Sequence, residues 1–409
     1  MDYPIRPIVP EEMARFFKAN AIGFNHDPRP EESLANTLKY ADLERSISVW
    51  DGEDVVGTAG TWTFEMTTPG GFVPCGGLTW VSVLPSHRRK GILTAMMRNQ
   101  LDSVRERGEA IAALWASEAV IYGRFGYGQA AEGVESLTID RTRTQLRYAP
   151  HYSGRVRYIE GAEALEKWPA VWEDVRQRTP GMNNRTPGWW EHRVLRDPPH
   201  PAPPGYSSQL NLQYEEDGKV LGYARYRVKE EWVNGVAAST LTVTEMISSN
   251  DATYSALWQH IFSVDLIATI CADWRPIDEP LQYMLSDPRR LLRRPNDSLW
   301  VRMVDIPRAL ESRKYSSEGQ LVLEVADDFC AWNAGRYLLE GGPTGAKCTA
   351  TTRDPDIWLT STELGALYLG GTRAYPLARA GRIGGSPEAV QRLDAMFAWN
   401  PLPWAPEVW

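Results

Sequence analysis

The sequence is poor in the residues that build metal sites and disulfides. Its 409 residues include four cysteines and six histidines. Cys75, Cys271, Cys330 and Cys348 are too scattered for a C-x-x-C clip, and the histidines form no H-x-x-x-H or cysteine-linked set. We therefore predict no metal site, and we expect the four thiols to be reduced residues of the core.

A long apolar segment is also missing. No run of residues approaches the roughly 20 that a membrane-spanning helix needs. Met1–Phe17 carries Asp2, Glu11 and Glu12 and has no continuous apolar stretch, so it does not resemble a secretory signal. We expect a cytoplasmic protein that does not enter membranes.

Basic residues are outnumbered. The chain has 52 acidic residues against 44 Lys and Arg, a net charge of -8. This balance argues against a protein that coats nucleic acid or an anionic membrane, and it slightly favours cationic ligands. With 17 Trp and 17 Tyr, the chain is rich in large amphipathic rings, which suit both interfaces and pockets for polar ligands.

Two parts of the chain show the same order of elements. Asp51–Phe64 has a D-G turn between strand-like residues, and Leu78–Ser86 comes next as a strand before an amphipathic helix. Asp217–Val228 and Leu241–Ser249 repeat this order, again before a helical pattern. We infer two copies of one α/β unit.

Proline marks the ends of these units. Asp197–Gly205 predicts an extended loop inside the second unit, and Arg293–Ser298 separates that unit from the C-terminal part of the chain. From Leu299 onward, alternating strand-like and helical patterns indicate a third, α+β domain that ends in Asn400–Trp409. The predicted domains are 1–150, 151–296 and 297–409.

A cluster of cations stands where a helix begins. An apolar stripe with helical spacing predicts that helix, and Gly108 would end it. The stripe consists of Ile92, Leu93, Met96, Met97, Leu101 and Val104. Arg88, Arg89 and Lys90 precede Gly91, beside the free N–H groups of the first turn, where the helix dipole is already positive. This arrangement predicts an anion site suited to a diphosphate, the alternative being a solvated basic turn.

The flanking strands favour the anion site. Val81 and Val83 lie on the strand that leads into it, and Ala110–Ser117 has the pattern of a buried strand after the helix. Two roughly parallel strands that diverge would expose backbone groups able to pair with an extended chain of amides. A diphosphate cradle beside such strands fits coenzyme A.

These residues carry a resemblance to a known family. V-x-V-x-P-x-x-R-R-K-G-I from Val81, with S-E-x-x-I-Y-G-R-F-G-Y-G from Ser117, resembles the GCN5-related N-acetyltransferases (GNATs), specifically the enhanced intracellular survival (Eis) family. DIPRALESRKY, TELGALYLGG and the aromatic C-terminal residue extend the likeness over nearly the whole chain. One departure is Leu93, where the general R-x-x-G-x-[GA] pattern has Gly or Ala.

The resemblance implies an α/β (α+β) fold with tandem GNAT-type domains. The first would be the acetyltransferase domain, the second a degenerate GNAT-like domain without cofactor, and the third a sterol-carrier-protein-like domain. The residues support a silent second copy independently. Where the first copy has SHRRKG, the second has SSNDAT, and Asp251 would repel a diphosphate.

The resemblance also implies acetyl-CoA as co-substrate. The residues expected to bind it are Val81, Ser82, Val83, Arg88, Arg89, Lys90, Gly91, Ile92, Leu93, Ser117 and Glu118. Tyr122 would be the general acid, and backbone near Val83 the partner of the thioester carbonyl. The α-carboxylate of Trp409 would be either the general base or an electrostatic group that orients the amine while water carries the proton.

The acceptor implied by the resemblance is a primary amine of a polycationic small molecule such as an aminoglycoside. Trp80 and Trp190 match bulky positions that line the substrate cavity. His26 and Asn36 stand where relatives carry an acidic and an aromatic substrate contact. Val408 replaces an acidic residue of relatives, and the adjacent Glu407 is expected to contact the substrate. Fewer carboxylates would weaken the binding of polycations.

Family members assemble as hexamers, so a homo-oligomer is expected, and the wealth of aromatic residues is compatible with large interfaces. Two alternatives to acetyl transfer stay open at this point. One is a non-catalytic protein that binds acyl-CoA or an apolar ligand. The other is an acyltransferase that uses longer acyl donors.

Overall fold

The computed structural model describes residues 3–197 and 204–409. Within these residues the chain forms two compact units. Unit 1 comprises the chain up to Ala131, residues 297–403 and the last two residues, and unit 2 comprises residues 132–296 and 404–407. The predicted loop Asp197–Gly205 falls largely outside the described residues, and His200 lies there too.

The first part of unit 1 is a sheet flanked by helices. The strands are β1 (Ile5–Pro7), β2 (Ile47–Asp51), β3 (Asp54–Thr68), β4 (Gly71–Val83), β5 (Ile111–Trp115) and β6 (Gly128–Gln129). The helices are α1 (Met13–Phe24), α2 (Glu31–Thr37), α3 (Ile92–Glu106) and α4 (Ala119–Tyr122). Strands β1 to β5 lie in sequence order; β4 and β5 are parallel and joined through α3. The D-G turn predicted at Asp51 is the short loop between β2 and β3.

Unit 2 repeats this plan. Its strands are β7 (Glu132–Asp140), β8 (Arg155–Tyr158), β9 (Leu210–Glu216), β10 (Lys219–Lys229), β11 (Trp232–Val233), β12 (Val236–Ala237), β13 (Ser239–Ser248), β14 (Ile267–Pro276) and β15 (Leu291–Asp297). Its helices are α5 (Gly161–Arg176), α6 (Pro187–Trp189), α7 (Asp251–Ser263) and α8 (Leu281–Met284), with a π-helical turn at Trp190–Val194. The sheet order is β15-β7-β14-β13-β10-β9-β8, and α7 joins the parallel pair β13 and β14.

The rest of unit 1 adds a second sheet. The strands are β16 (Leu299–Met303), β17 (Gly319–Ala326), β18 (Gly335–Gly342), β19 (Gly345–Ala350), β20 (Ile357–Thr360) and β21 (Gly384–Gly385). The helices are α9 (Ile306–Glu311), α10 (Ser361–Leu367), α11 (Ala374–Arg379) and α12 (Pro387–Phe397). Strands β17 to β21 form a sheet in the order β19-β18-β17-β20-β21.

Two strands cross the domain boundaries expected from the sequence. Strand β7 pairs with β14, so the second sheet begins before the predicted boundary at residue 150. Strand β16, expected at the start of the third domain, pairs antiparallel with β5 and with β6 and so belongs to the first sheet. Both differences concern which strands pair with each other. Local sequence patterns predict a strand but not its partner.

Five of the six residues in the predicted apolar stripe of α3 are buried, and Leu93 is half-buried. Ile92, Met96, Met97, Leu101 and Val104 are each at most 4% exposed. All four cysteines are free. Cys75, Cys330 and Cys348 are buried, as expected for core thiols, whereas Cys271 is half-buried. No group of three metal-ligating side chains occurs among the described residues. Of the helices in residues 3–197 and 204–409, none is both long and apolar enough to cross a bilayer.

A buried ion pair beneath the first sheet leads to a stability prediction. Arg45 donates from Nη1 to Oε1 of Glu109 at 2.7 Å and from Nη2 to Oε2 at 2.6 Å, and both side chains are at most 5% exposed. Glu109→Gln would leave the guanidinium without its counter-charge, so we expect a loss of about 3–5 kcal/mol, measured by urea unfolding. Glu44→Gln is the matched control, because Glu44 is 88% exposed and 3.9 Å from Arg107. Equal midpoints for the two variants would contradict the prediction.

Candidate active site

Strand β4 is bent where its parallel neighbour leaves it. Trp80 has φ +53° and forms an irregularity in the pairing with β3. Its carbonyl accepts hydrogen bonds from Thr58 Oγ1 at 2.7 Å and Asn20 Nδ2 at 3.0 Å. Pairing with β5 ends at Leu78 and Leu114, ahead of this bend. The backbone from Val81 to Val83 therefore diverges from β5, as the sequence predicted.

The start of α3 is open to an anion. Gly91 is its N-cap residue, with φ +82°, and no side chain caps the first turn. A Cβ added at Gly91 would meet no atom within 4 Å, so there is space above these N–H groups. A glycine is required here because other residues are strained at this φ. The first turn thus offers N–H groups and a positive helix end to a ligand.

The second copy of this helix is closed to an anion. At the start of α7, the Asn250 side chain accepts a hydrogen bond from the Thr253 N–H at 2.8 Å. Asp251 comes next, in the first turn. The protein's own side chain thus satisfies one of the N–H groups that α3 leaves open, and a carboxylate stands where α3 has cations nearby.

One cavity of about 680 Å³ brings the predicted coenzyme residues together. Ten of the eleven line it: Val81, Ser82, Val83, Arg88, Arg89, Gly91, Ile92, Leu93, Ser117 and Glu118. The exception is Lys90, whose Nζ lies 3.3 Å from the hydroxyl of Tyr3. The cavity also includes Phe24, Asn25 and Arg124, which the sequence analysis missed. Arg124 lies inside the quoted G-R-F-G motif, and its positive charge was the available signal.

These residues fit coenzyme A. The volume is typical of ligand pockets, Arg88, Arg89 and Arg124 supply positive charge, and the open N-terminus of α3 can bind a diphosphate. The diverging strand supplies backbone for an amide chain.

Tyr122 lines the same cavity from the end of α4. Its side chain is 5% exposed. Burial raises the pKa of this phenol, a hydrogen bond with Ser117 opposes the shift, and the charge of Glu118 adds to it. The hydroxyl is therefore protonated at neutral pH and available as a proton donor.

Trp409 lies beside the point where β4 and β5 separate. Its ring packs against Phe64 at 5.2 Å and Trp115 at 6.2 Å between centroids. A Cβ at Gly77 would lie 3.2 Å from its Nε1, so the indole approaches the β4 backbone closely. Gly77 precedes Leu78 and Trp115 comes after Leu114, the last paired residues. The chain terminus is thus near the divergence.

Trp80 belongs to an aromatic cluster beside the bend. Its ring lies 5.0 Å from Phe17 and 4.8 Å from Trp62, and the guanidinium of Arg29 is 4.3 Å above the Phe17 ring. Trp80 is half-buried and does not line the cavity described above. The cluster therefore already holds one cation on its rings.

The other predicted substrate residues of unit 1 lie outside the cavity. His26 is exposed, stacks on Phe24 at 6.2 Å and has Nδ1 2.9 Å from the carbonyl of Asp27. Asn36 is half-buried on α2. His26 touches a residue of the cavity wall, namely Phe24.

Two predicted substrate residues lie in unit 2. Trp190 is 2% exposed and packs against Trp172 and Tyr223, as a core residue does. Glu407 accepts hydrogen bonds from Arg185 and Arg193, so its carboxylate is paired. The structure gives both residues contacts within unit 2 that the sequence did not predict.

The fold and the cavity define a class of protein. Two segments, residues 4–130 and 181–304, match families described as acetyltransferase (GNAT) domain, and residues 306–406 match the sterol carrier protein domain. The chain is thus an acyltransferase with two GNAT domains and a C-terminal sterol-carrier-like domain. The GNAT fold implies the use of acetyl-CoA.

The relatives narrow the class to a family. An uncharacterised N-acetyltransferase of Streptomyces avermitilis is 41% identical over 391 residues, 94% of each chain. The N-acetyltransferase Eis of Mycobacterium tuberculosis is 35% identical over 358 residues, 85% of this chain and 84% of that one. The crystal structure of Eis1 from Mycobacterium abscessus superposes with a TM-score of 0.86 at 32% identity, covering 99% and 100% of the two chains. The chain belongs to the Eis family of GCN5-related N-acetyltransferases.

Proposed function

We propose that the cavity of unit 1 binds acetyl-CoA and that the enzyme acetylates a primary amine of a polycationic small molecule, with aminoglycosides as the class that the family resemblance implies. The observation that carries the proposal is the cavity itself. It combines the open N-terminus of α3, the diverging strand β4 and Tyr122 in one space. Acetyl-CoA would supply an acetyl group activated as a thioester.

Backbone N–H groups of β4 and the hydroxyl of Tyr122 have different proposed roles in acyl transfer. N–H groups of Val81 to Val83 that β5 does not bind would donate to the thioester carbonyl and stabilise the oxyanion of the transition state. Tyr122, kept protonated by burial, would give its proton to the departing thiolate.

The terminal carboxylate of Trp409 is the proposed partner of the amine. The proposal is supported by the indole of the same residue, which packs near the divergence of β4 and β5, where the amine would attack. A free terminal carboxyl titrates near 3.3–3.7, which makes it a weak proton acceptor unless burial raises its pKa. We therefore assign it the binding and orientation of the amine, with the proton passing to it or to a water.

The aromatic cluster around Trp80 supports a cationic acceptor. Its rings already receive the guanidinium of Arg29, at 5.9 Å from the Trp80 centroid. Amines of a polycation would be attracted to such ring faces and to the net negative charge of the chain.

The direct test is turnover with a panel of amines. The protein would be incubated with acetyl-CoA and aminoglycosides, polyamines or simple primary amines, while release of free thiol is monitored. We expect turnover with polycationic amines above that with monoamines. Binding of acetyl-CoA without transfer to any amine would favour the non-catalytic alternative, and faster turnover with longer acyl donors would favour the other.

Gly91→Asp should weaken acetyl-CoA binding. The new carboxylate would face the diphosphate at the start of α3, so we expect the KM for acetyl-CoA to rise roughly 10- to 100-fold. Gly218→Asp is the matched control, because Gly218 also has a positive φ, +75°, with no atom within 4 Å of an added Cβ. A KM that rises equally in both variants would show backbone strain instead of charge.

From the resemblance alone, we also propose a cytoplasmic homo-oligomer, with the hexamer as the expected form. Sedimentation velocity measures this state directly.

A further inference from the structure

The parallel strands of unit 2 diverge in the same way as those of unit 1. Pairing of β13 with β14 ends at Val243 and Ala272. In unit 1 the corresponding divergence belongs to the proposed acetyl-CoA site. In unit 2 the neighbouring helix α7 is capped by Asn250, so its N-terminus does not offer the anion site that α3 offers in unit 1. We therefore ask which groups bind the separated backbones in unit 2.

Residues Trp404–Glu407 of this chain, here called the tail segment, are part of unit 2. The Trp404 indole Nε1 donates to the carbonyl of Trp274 at 2.7 Å, and its backbone N–H donates to the carbonyl of Pro180 at 2.8 Å. The Arg275 guanidinium lies 5.2 Å from the Trp404 ring and donates to the carbonyl of Met246 at 3.0 Å. Trp274 and Met246 lie just beyond the last paired residues on the two strands. Their carbonyls are thus satisfied by the tail segment and by the arginine that contacts it.

The other end of the tail segment is held by charge. Glu407 Oε1 accepts from Arg193 Nε at 2.9 Å and Trp189 Nε1 at 2.8 Å, and Oε2 accepts from Arg185 Nε at 3.0 Å. Arg185 is 3% exposed and lies 3.4 Å from the Trp172 ring. Burial of Glu407 raises its pKa, but the charges of Arg185 and Arg193 outweigh this effect and lower it overall. The Glu407 carboxylate is therefore ionised, and both of its oxygens accept hydrogen bonds.

We propose that the second GNAT domain is a peptide-binding site whose ligand is the tail segment of its own chain. A tryptophan bound beside the end of β14 and a carboxylate bound by two arginines are the features it recognises. If the terminal carboxylate has the proposed role, Arg185 and Arg193 are positioning residues for it, and this part of the inference rests on the proposed function. Only Val408 separates Glu407 from Trp409. When Glu407 is held in place, the Cα of Trp409 can lie at most about 7 Å from the Cα of Glu407.

Arg193→Gln tests the site in the full-length chain. Its side chain is 26% exposed, so the fold should tolerate the change, whereas Arg185 is buried. Loss of one charge-assisted hydrogen bond should speed amide hydrogen exchange in the fragment covering residues 400–409 about 10- to 100-fold. Arg193→Lys should restore most of the protection. Arg155→Gln, at a side chain 77% exposed, is the control and should leave exchange unchanged.

Turnover separates this site from the proposed chemistry. We expect Arg193→Gln to lower kcat with an unchanged KM for acetyl-CoA, and Glu407→Gln to do the same. Exchange in the 400–409 fragment equal to that of the unaltered chain, in both variants, would overturn the tail-binding site. Faster exchange with normal turnover would support the site and contradict a catalytic role for the terminal carboxylate.

Discussion

Tyr122→Phe is expected to lower kcat about 10²- to 10⁴-fold with little change in the KM for acetyl-CoA. The substitution removes only the hydroxyl of a residue that lines the cavity, and this hydroxyl is kept protonated because burial raises the pKa of Tyr122. The ring, which packs in the core at 5% exposure, is retained. Single-turnover measurements with saturating acetyl-CoA would report the chemical step directly.

Tyr127→Phe is the matched control for this result. Its ring lies 6.0 Å from that of Tyr122, but it is fully buried and its hydroxyl has no hydrogen-bond partner among the described residues. Removing a buried, unpaired hydroxyl should leave kcat unchanged and stability equal or slightly higher. A kcat that falls equally in both variants would mean that the aromatic packing, and not a proton from Tyr122, supports turnover.

Extension of the chain by one glycine beyond Trp409 is expected to reduce turnover about 100-fold or more while acetyl-CoA affinity stays the same. The added residue moves the carboxylate by about 3.5 Å and leaves a neutral amide in its place. The indole can still pack on Phe64 and Trp115. Turnover would be measured by thiol release, and acetyl-CoA affinity by calorimetry.

Two variants distinguish the contribution of the terminal carboxylate to turnover from the contributions of the indole ring and of the neighbouring side chain. Trp409→Phe keeps the carboxylate but shrinks the ring, so we expect a smaller loss of turnover than the extension causes. Val408→Ala changes a side chain that is 40% exposed and should have little effect. An extended protein with normal turnover would remove the terminal carboxylate from the mechanism.

Most residues of the proposed coenzyme cavity could be grouped from the sequence because the signals are local. The apolar stripe predicts where α3 begins. The glycine and the cations directly precede this point in the chain, so helical geometry alone places them at the N-terminus of the helix. Gly108, expected to end this helix, has φ +71° just beyond Glu106. The same reasoning found the strands β4 and β5 on either side.

The contacts that the sequence could not predict are distant in the chain. Strand β16 reaches β5 across nearly 200 residues, and nothing in the local pattern of either strand names the other. Glu407 was expected near the substrate, yet Arg185 and Arg193 bind it in unit 2. Neither arginine carries a local signal of this role, because Glu407 lies more than 200 positions away from both in the chain.

By itself, the amino-acid sequence determined the elements, the duplicated plan, the helix end that suits a diphosphate and the family. Periodicity, turn residues and charge at a helix start involve residues that are close in the chain, so they can be recognised in the linear sequence. Only the tertiary structure decided which strands complete each sheet, which residues close the cavity and how the last six residues divide between the two units. These outcomes depend on burial and charge pairing between distant segments, which take effect only when the chain has folded.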